Sequence, residues 1–229
     1  MLLSLICLVI TILTYCTSKA IYKKYSLVIL SPLLVVPVIL ITLMAVNHIS
    51  YTSYAGGAKW LTKLLGPATV AMAIPLHKHF DLLKKHAYEI LTSLFVGASV
   101  AIVSSMLLSA LLNFNHQTII SIAPRSVTTP IAIDISQIIG GVQTLTAVFV
   151  IITGLTGIII GPLIIKTFRI HTTIAKGVLL GLGAHGCGIS KALELGAEEG
   201  TIASLAMIVT AGLSLALVPL LVPFLANHI

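Results

Sequence analysis

Five stretches of this chain, residues 1–18, 25–58, 90–123, 135–165 and 200–229, contain no Asp, Glu, Lys or Arg. Each is long enough to cross the hydrocarbon of a bilayer as an α-helix, which takes roughly 17–25 residues. That pattern leaves no room for a soluble domain. The composition agrees: 58% of the 229 residues are hydrophobic and 8% charged, where an ordinary soluble domain carries about 25% charge. The runs are too long for barrel strands and lack a period of two, so an all-α polytopic membrane protein is the expected class, with backbone groups satisfied inside each helix.

The net charge of +7 does not point to nucleic acid, because the basic residues lie in short gaps between apolar runs with no aromatic interleaving. They read as topology signals. Lys19, Lys23 and Lys24 occupy the first gap, Lys78, Lys84 and Lys85 the third, and Lys166, Arg169 and Lys176 a later one; such loops tend to stay cytoplasmic. Lys59 and Lys63 fit this alternation less well. The N-terminal run has no basic n-region and no small-residue cleavage site, so it is expected as a retained helix. Cys7, Cys16 and Cys187 are an odd number within apolar segments, which argues against a disulfide framework, and there is no N-x-S/T acceptor. A bacterial-type inner membrane is the simplest location.

Pro32 and Pro37 predict a kinked span over residues 27–46, and Gly66, Pro67 and Pro75 a short, interrupted or tilted span over residues 60–77. The basic connection "HKHFDLLKKH" at residues 77–86 has histidines without ligand spacing or accompanying carboxylates, so no metal and no cofactor are expected. Two later segments are too polar for plain spans and too apolar for loops. Residues 117–140 carry Pro124, Arg125, Ser126, Thr128, Thr129, Pro130 and Asp134. Residues 176–196 carry "GLGAHGCGIS", in which four glycines and His185 interrupt the apolar pattern.

Each of these segments precedes a small-residue turn and a long uncharged helix, so residues 117–165 and 172–223 read as two repeat units behind an N-terminal group of helices, 1–112. If residues 117–140 form a hairpin that enters and leaves on one side, the following helix delivers Lys166, Arg169 and Lys176 to the cytoplasm; a full crossing would leave them outside. A second hairpin at residues 176–196 would then enter from the opposite face, the inverted-repeat arrangement of secondary transporters. Two broken helices that cross completely are the alternative. Gly157 with Gly161, Gly177 with Gly181 and Gly196 with Gly200 are spaced for close helix packing.

Arg125 is the costliest residue to place at depth, at about 2.5 to 3.5 kcal/mol on insertion scales. It either snorkels or pairs with Asp134 across the hairpin, or its planar fork holds a carboxylate substrate. Ser126, Thr128 and Thr129 are placed to cap the half-helix that Pro130 starts, and a buried half-helix N-terminus is also an anion site. Gly181, Gly183, Gly186 and Gly188 permit unwound backbone or close approach, and His185 among them is either a packing residue or a proton carrier. Lys191 and Glu194 are spaced to pair on a helix surface. No catalytic signature is present, so an enzyme is not expected.

These segments resemble the LrgB/CidB family of antiholin-like and holin-like membrane proteins, which has plastid relatives that carry glycolate and glycerate. "PRSVTTPIA" at residues 124–132 matches the family motif P-K/R-S-V-T-T-P-I-A throughout, and "SPLLVVPVIL" resembles its N-P-L-L-V motif. The second family motif, roughly G-T-A-S-H-x-x-G-T-A-K/R, aligns with residues 181–191 and keeps Gly181, His185, Gly188 and Lys191, while Leu182, Ala184 and Ile189 replace Thr, Ser and Thr.

The resemblance covers nearly the whole chain and implies a small LrgA/CidA-type membrane partner. It brings two functional descriptions: control of murein hydrolase export and lysis, and transport of small monocarboxylates such as pyruvate or glycolate. The expectation is therefore one membrane domain, 1–229, of about six transmembrane helices plus two interrupted or re-entrant segments, in a homo-oligomer. It would pass small carboxylates, with Arg125, Ser126, Thr128, Thr129, His185, Gly186 and Gly188 binding substrate and Asp134 or His185 coupling protons. An antiholin-like regulator is the rival.

Overall fold

The computed structural model of the chain describes residues 2–25, 30–64, 67, 70, 71, 74, 77 and 80–226. These residues are helical or connecting, with no strand among them, and they fall into two compact units, Met1–Ile74 and Pro75–Ile229.

The first unit contains α1 (Leu2–Tyr25), α2 (Pro32–Val46) and α3 (Tyr51–Lys63). The N-terminal run is a helix as expected, and it continues past its apolar stretch to place Lys23 and Lys24 in the last turn, where cations complement the helix dipole. α2 starts at Pro32, whose missing N–H is harmless at a first helical position, and continues through Pro37. Ser50 caps α3 by accepting from the Ser53 N–H at 3.3 Å. Gly57 lies directly against the Ser4 backbone carbonyl, so a Cβ there would collide with α1. The span expected over residues 60–77 lies partly outside the described residues.

The second unit contains α4 (Phe80–Lys85), α5 (Ala87–Leu111), α6 (His116–Ile122), a 3-10 turn (Ala123–Ser126), α7 (Thr129–Ile138), α8 (Gln143–Thr167), α9 (Thr173–Leu195) and α10 (Ala197–Ala226). Among the described residues, α1, α5, α8 and α10 are long and apolar enough to cross a membrane, and α2 contributes a shorter apolar helix. The chain is thus an all-helical, multi-pass membrane protein.

Both polar segments break as helices, for different reasons. In the first, Asn115 caps α6 by accepting from the Thr118 N–H at 2.8 Å. Pro124 then leaves helical geometry at φ −84°, ψ 15°. Val127 and Thr128 are extended, and Pro130 sits in the first turn of α7. The chain turns back on itself there. Ser121 before the break accepts at its Oγ from the Val142 N–H beyond α7 at 2.8 Å. The Thr146 hydroxyl lies 2.9 Å from the Ser121 carbonyl and 2.8 Å from the Ser136 hydroxyl. Gly140 makes the exit turn at φ 78°, a conformation that favours glycine. α6 and α7 are therefore the arms of a hairpin whose base is tied by hydroxyls. At 1.5 Å per residue, the ten residues of α7 reach about 15 Å, half of the roughly 30 Å hydrocarbon thickness.

In the second segment, His185 takes φ 39°, ψ −123° inside α9. A Cβ on Gly188 would collide with the Leu180 carbonyl and sit 3.0 Å from the Ala184 Cβ. Residues eight apart in a continuous helix are separated by about 12 Å, so this contact requires residues 186–195 to fold back along residues 173–184. α9 is a second hairpin.

The two hairpins occupy opposite ends of the bundle. Ile119, Ile120, Val127 and Ile135 of the first pack with Ile102 and Met106 of α5 and with Val218 and Val222 of α10. Ile174 and Val178 of the second pack with Ile90 and Leu94 at the start of α5 and with Ile202 and Ala206 at the start of α10. Glycine makes the close approaches here. Gly177 meets Ile202, Gly181 meets the Ala203 backbone, and Gly157 and Gly161 of α8 meet Ala184 and Leu180 of α9. Of the three spaced glycine pairs, the 157/161 and 177/181 pairs are helix contacts; in the third, Gly200 of α10 meets Leu193 of α9, while Gly196 ends α9 and faces its neighbour Glu199.

Candidate functional site

Both hairpin tips meet α8 near its middle. From the first tip, Arg125 Nη1 donates to Thr153 Oγ1 at 3.3 Å. From the second, the His185 ring lies so near Gly154 that a Cβ there would sit 3.1 Å from the imidazole Cε1, and the Gly183 carbonyl and Ala184 press on Gly157. The positions of contact on α8, 153, 154 and 157, are neighbours on one helical turn. His185 is 4% exposed, lies close to the backbone and charge of Arg125, and its Nε2 has no hydrogen-bond partner among the described residues.

Beside the tips lies a cavity of about 520 Å³ between α5, α8 and the first arm of α9. Its lining is mainly apolar. Among the described residues, Arg125 is the one charged side chain that lines it, and Ser104, Ser105, Ser109, Thr153 and Thr156 supply hydroxyls. The Ser109 hydroxyl donates to the Ser105 carbonyl at 2.8 Å and the Ser105 hydroxyl to the Ala101 carbonyl. Their protons are thereby committed to their own helix and their lone pairs remain open as acceptors. A guanidinium at one point of an apolar chamber suits a small ligand with one anionic end and a short carbon tail.

The structure distributes the sequence-predicted residues unevenly. Arg125 reaches the cavity. Ser126 is buried and Thr128 and Thr129 half-buried, and none of the three lines it. Thr128 stands at the N-cap of α7 but makes no side-chain capping bond; its backbone carbonyl accepts from the Ala132 N–H at 2.9 Å. His185 sits behind Gly183 and Ala184, which do line the cavity. Gly186 is exposed and off the cavity, and Gly188 is taken up by the Leu180 carbonyl. The pairing considered for Arg125 with Asp134 does not form: Asp134 is on the exposed face of α7, and no ion pair joins the two. The break at Val127 and Thr128 turns α7 so that this face, also carrying Pro130 and Gln137, points away from the tip. Lys191 and Glu194 do pair, at 2.5 Å.

The cavity hydroxyls on α5 and α8 were not singled out by the sequence reading. Their only trace there is Ser105 with Ser109, and Thr153 with Thr156, at three- and four-residue spacing inside lipid-length runs.

A helical bundle with two hairpins packed at opposite ends, and a half-buried arginine beside an open, mainly apolar cavity, defines a class: a polytopic membrane protein. Within that class this chain belongs to the LrgB-like family, whose model matches residues 11–224. YwbG of Bacillus subtilis is 47% identical over 225 residues, covering 98% of this chain and all of that protein. The holin-like protein CidB of Staphylococcus epidermidis is 34% identical over 215 residues, 94% of each chain. CidB of Staphylococcus aureus is 32% identical over 219 residues, 96% of each. No solved structure matches the chain.

Proposed function

We propose that this protein passes small monocarboxylates across the cytoplasmic membrane, with Arg125 holding the carboxylate at the meeting point of two re-entrant hairpins. The observation that carries this reading is the state of Arg125. It lines a mainly apolar cavity walled by the membrane-length helices α5 and α8, with a neutral hydroxyl as its partner and no carboxylate paired to it among the described residues. A cation at that depth calls for an anionic counterpart, and a ligand carboxylate would supply one through a charge-assisted, two-pronged bond. The start of α7, which has no side-chain cap, adds a positive dipole end nearby. His185, buried beside Arg125 with an unpartnered nitrogen, is the candidate to carry a proton with the anion; Asp134, on the exposed face of α7, is a candidate for proton exchange at the surface of that hairpin.

A second reading has support from the names of the relatives: two of them are called holin-like, which suggests a regulator of membrane permeability acting with a small LrgA/CidA-type partner or as a homo-oligomer. Purified protein in liposomes separates the two. Carboxylate transport predicts saturable uptake of labelled pyruvate or glycolate without leakage of a trapped dye. It also predicts a fall of about ten- to a hundredfold in Arg125→Gln, the worth of one charge-assisted bond. Dye leakage at the same rate as acid flux, unaltered by Arg125→Gln, supports the holin-like reading instead.

A further inference from the structure

The four glycines of "GLGAHGCG" have different surroundings. A Cβ on Gly181 or Gly188 would strike backbone, of Ala203 and Leu180 respectively, so both are required by packing. A Cβ on Gly183 would meet nothing within 4 Å. Nor does backbone geometry demand glycine there, since Gly140 is the one glycine in the left-handed region among the described residues. Gly183 nevertheless lines the cavity that contains Arg125. Gly183 is exposed, like Gly186 and Gly212, and differs from those two in bordering this cavity.

Its place along α8 gives the missing side chain a length scale. Arg125 reaches α8 at Thr153, and the Gly183 carbonyl abuts α8 at Gly157. Four residues of helix separate those points by about 6 Å along the axis, roughly the length of a short carbon chain. A carboxylate on the guanidinium with its tail lying along α8 would end beside Gly183.

We propose that Gly183 sets the upper size of the acid the cavity accepts, an inference that rests on the monocarboxylate reading of Arg125. Any larger residue at 183 occupies the tail end of the cavity and leaves the carboxylate end intact, so it discriminates by chain length. The wall around the tail end is mainly apolar, with Ile160, Gly161 and Leu179 beside the hydroxyl of Thr156, so a change at 183 alters chiefly the length that fits.

The test compares wild type, Gly183→Ala and Gly183→Val in liposomes, with unbranched monocarboxylates of two to six carbons as substrates. Gly212→Val is the control, since Gly212 is exposed on α10 with open space around it and is off the cavity. Gly183→Val should keep uptake of the two-carbon acid within about twofold and lower that of the five- and six-carbon acids about tenfold or more, the scale on which a pocket senses one carbon. Gly183→Ala should fall between, and Gly212→Val should match wild type. Uptake reduced equally at all lengths, or unchanged at all, overturns the proposal.

If the wild type carries none of the acids, the carboxylate reading fails, and the size claim is decided by labelling. In a protein with Cys7, Cys16 and Cys187 replaced by alanine, Thr153→Cys is reacted with methyl and benzyl thiosulfonates. Adding Gly183→Val should slow the benzyl reagent selectively. An equal effect on both reagents counts against a size filter at 183.

Discussion

The two hairpins do the same geometric job with opposite chemistry. The first is turned by residues that prescribe its shape: Pro124 and Pro130 forbid a continuous hydrogen-bond ladder, and Ser121, Ser136 and Thr146 tie the base with side-chain hydroxyls. The second is turned at a residue badly suited to its conformation. His185 holds φ 39°, ψ −123°, a region that a side chain with a Cβ enters at a cost of order 1–3 kcal/mol, and its arms are held by bare backbone contact at Gly188. One hairpin is fastened by bonds; the other is held together by fit.

If that contrast is right, the largest effect belongs to the fit. Gly188→Leu drives a side chain into the Leu180 carbonyl, so a loss of more than about 3 kcal/mol is expected, beyond ordinary overpacking because backbone cannot move aside. It should appear as aggregation or a collapsed melting point in detergent, and a protein that melts like wild type would remove the folded-back second hairpin. Thr146→Val comes next, at about 1–2 kcal/mol, because two buried hydroxyl contacts lose their partner. Thermal melting beside Thr146→Ser, which keeps the hydroxyl, isolates the bond. The backbone strain should show as a difference between two variants that both lack the imidazole: His185→Gly melting above His185→Ala, by the equivalent of about 1 kcal/mol. Equal melting points would mean that His185 is not strained. The smallest effect, within about 0.5 kcal/mol, is expected for Gly186→Ala, since its Cβ enters open space.

The same contrast explains what was legible in the sequence. The membrane class followed from charge-free runs, because no soluble fold can cover that much apolar surface. The first break was readable because Pro124 and Pro130 fall close together among charged and hydroxyl-bearing residues, whereas a proline in a purely apolar run, such as Pro37 or Pro162, stays inside its helix. In the second segment the glycines announced a break but not its position, and His185 rather than a glycine takes the left-handed conformation. That choice depends on packing against α8 and α10, which is a tertiary property. Arg125 was legible as a site residue because its charge is out of place. Ser105, Ser109, Thr153 and Thr156 were not, since a hydroxyl inside a spanning helix is commonplace and satisfies itself on its own carbonyls; only the meeting of α5 with α8 turns them into a wall. The motif around Arg125 drew attention to Ser126, Thr128 and Thr129 through proximity in sequence, whereas the neighbours of its guanidinium come from another helix.

α5 and α10 pass through both hydrophobic cores, giving their first halves to one hairpin and their second halves to the other. Two continuous rods thus serve as a common chassis for two short inserts. A push that displaces either tip is resisted by the same pair of struts that seats its counterpart, so the two inserts share one support although they sit at opposite ends of the bundle.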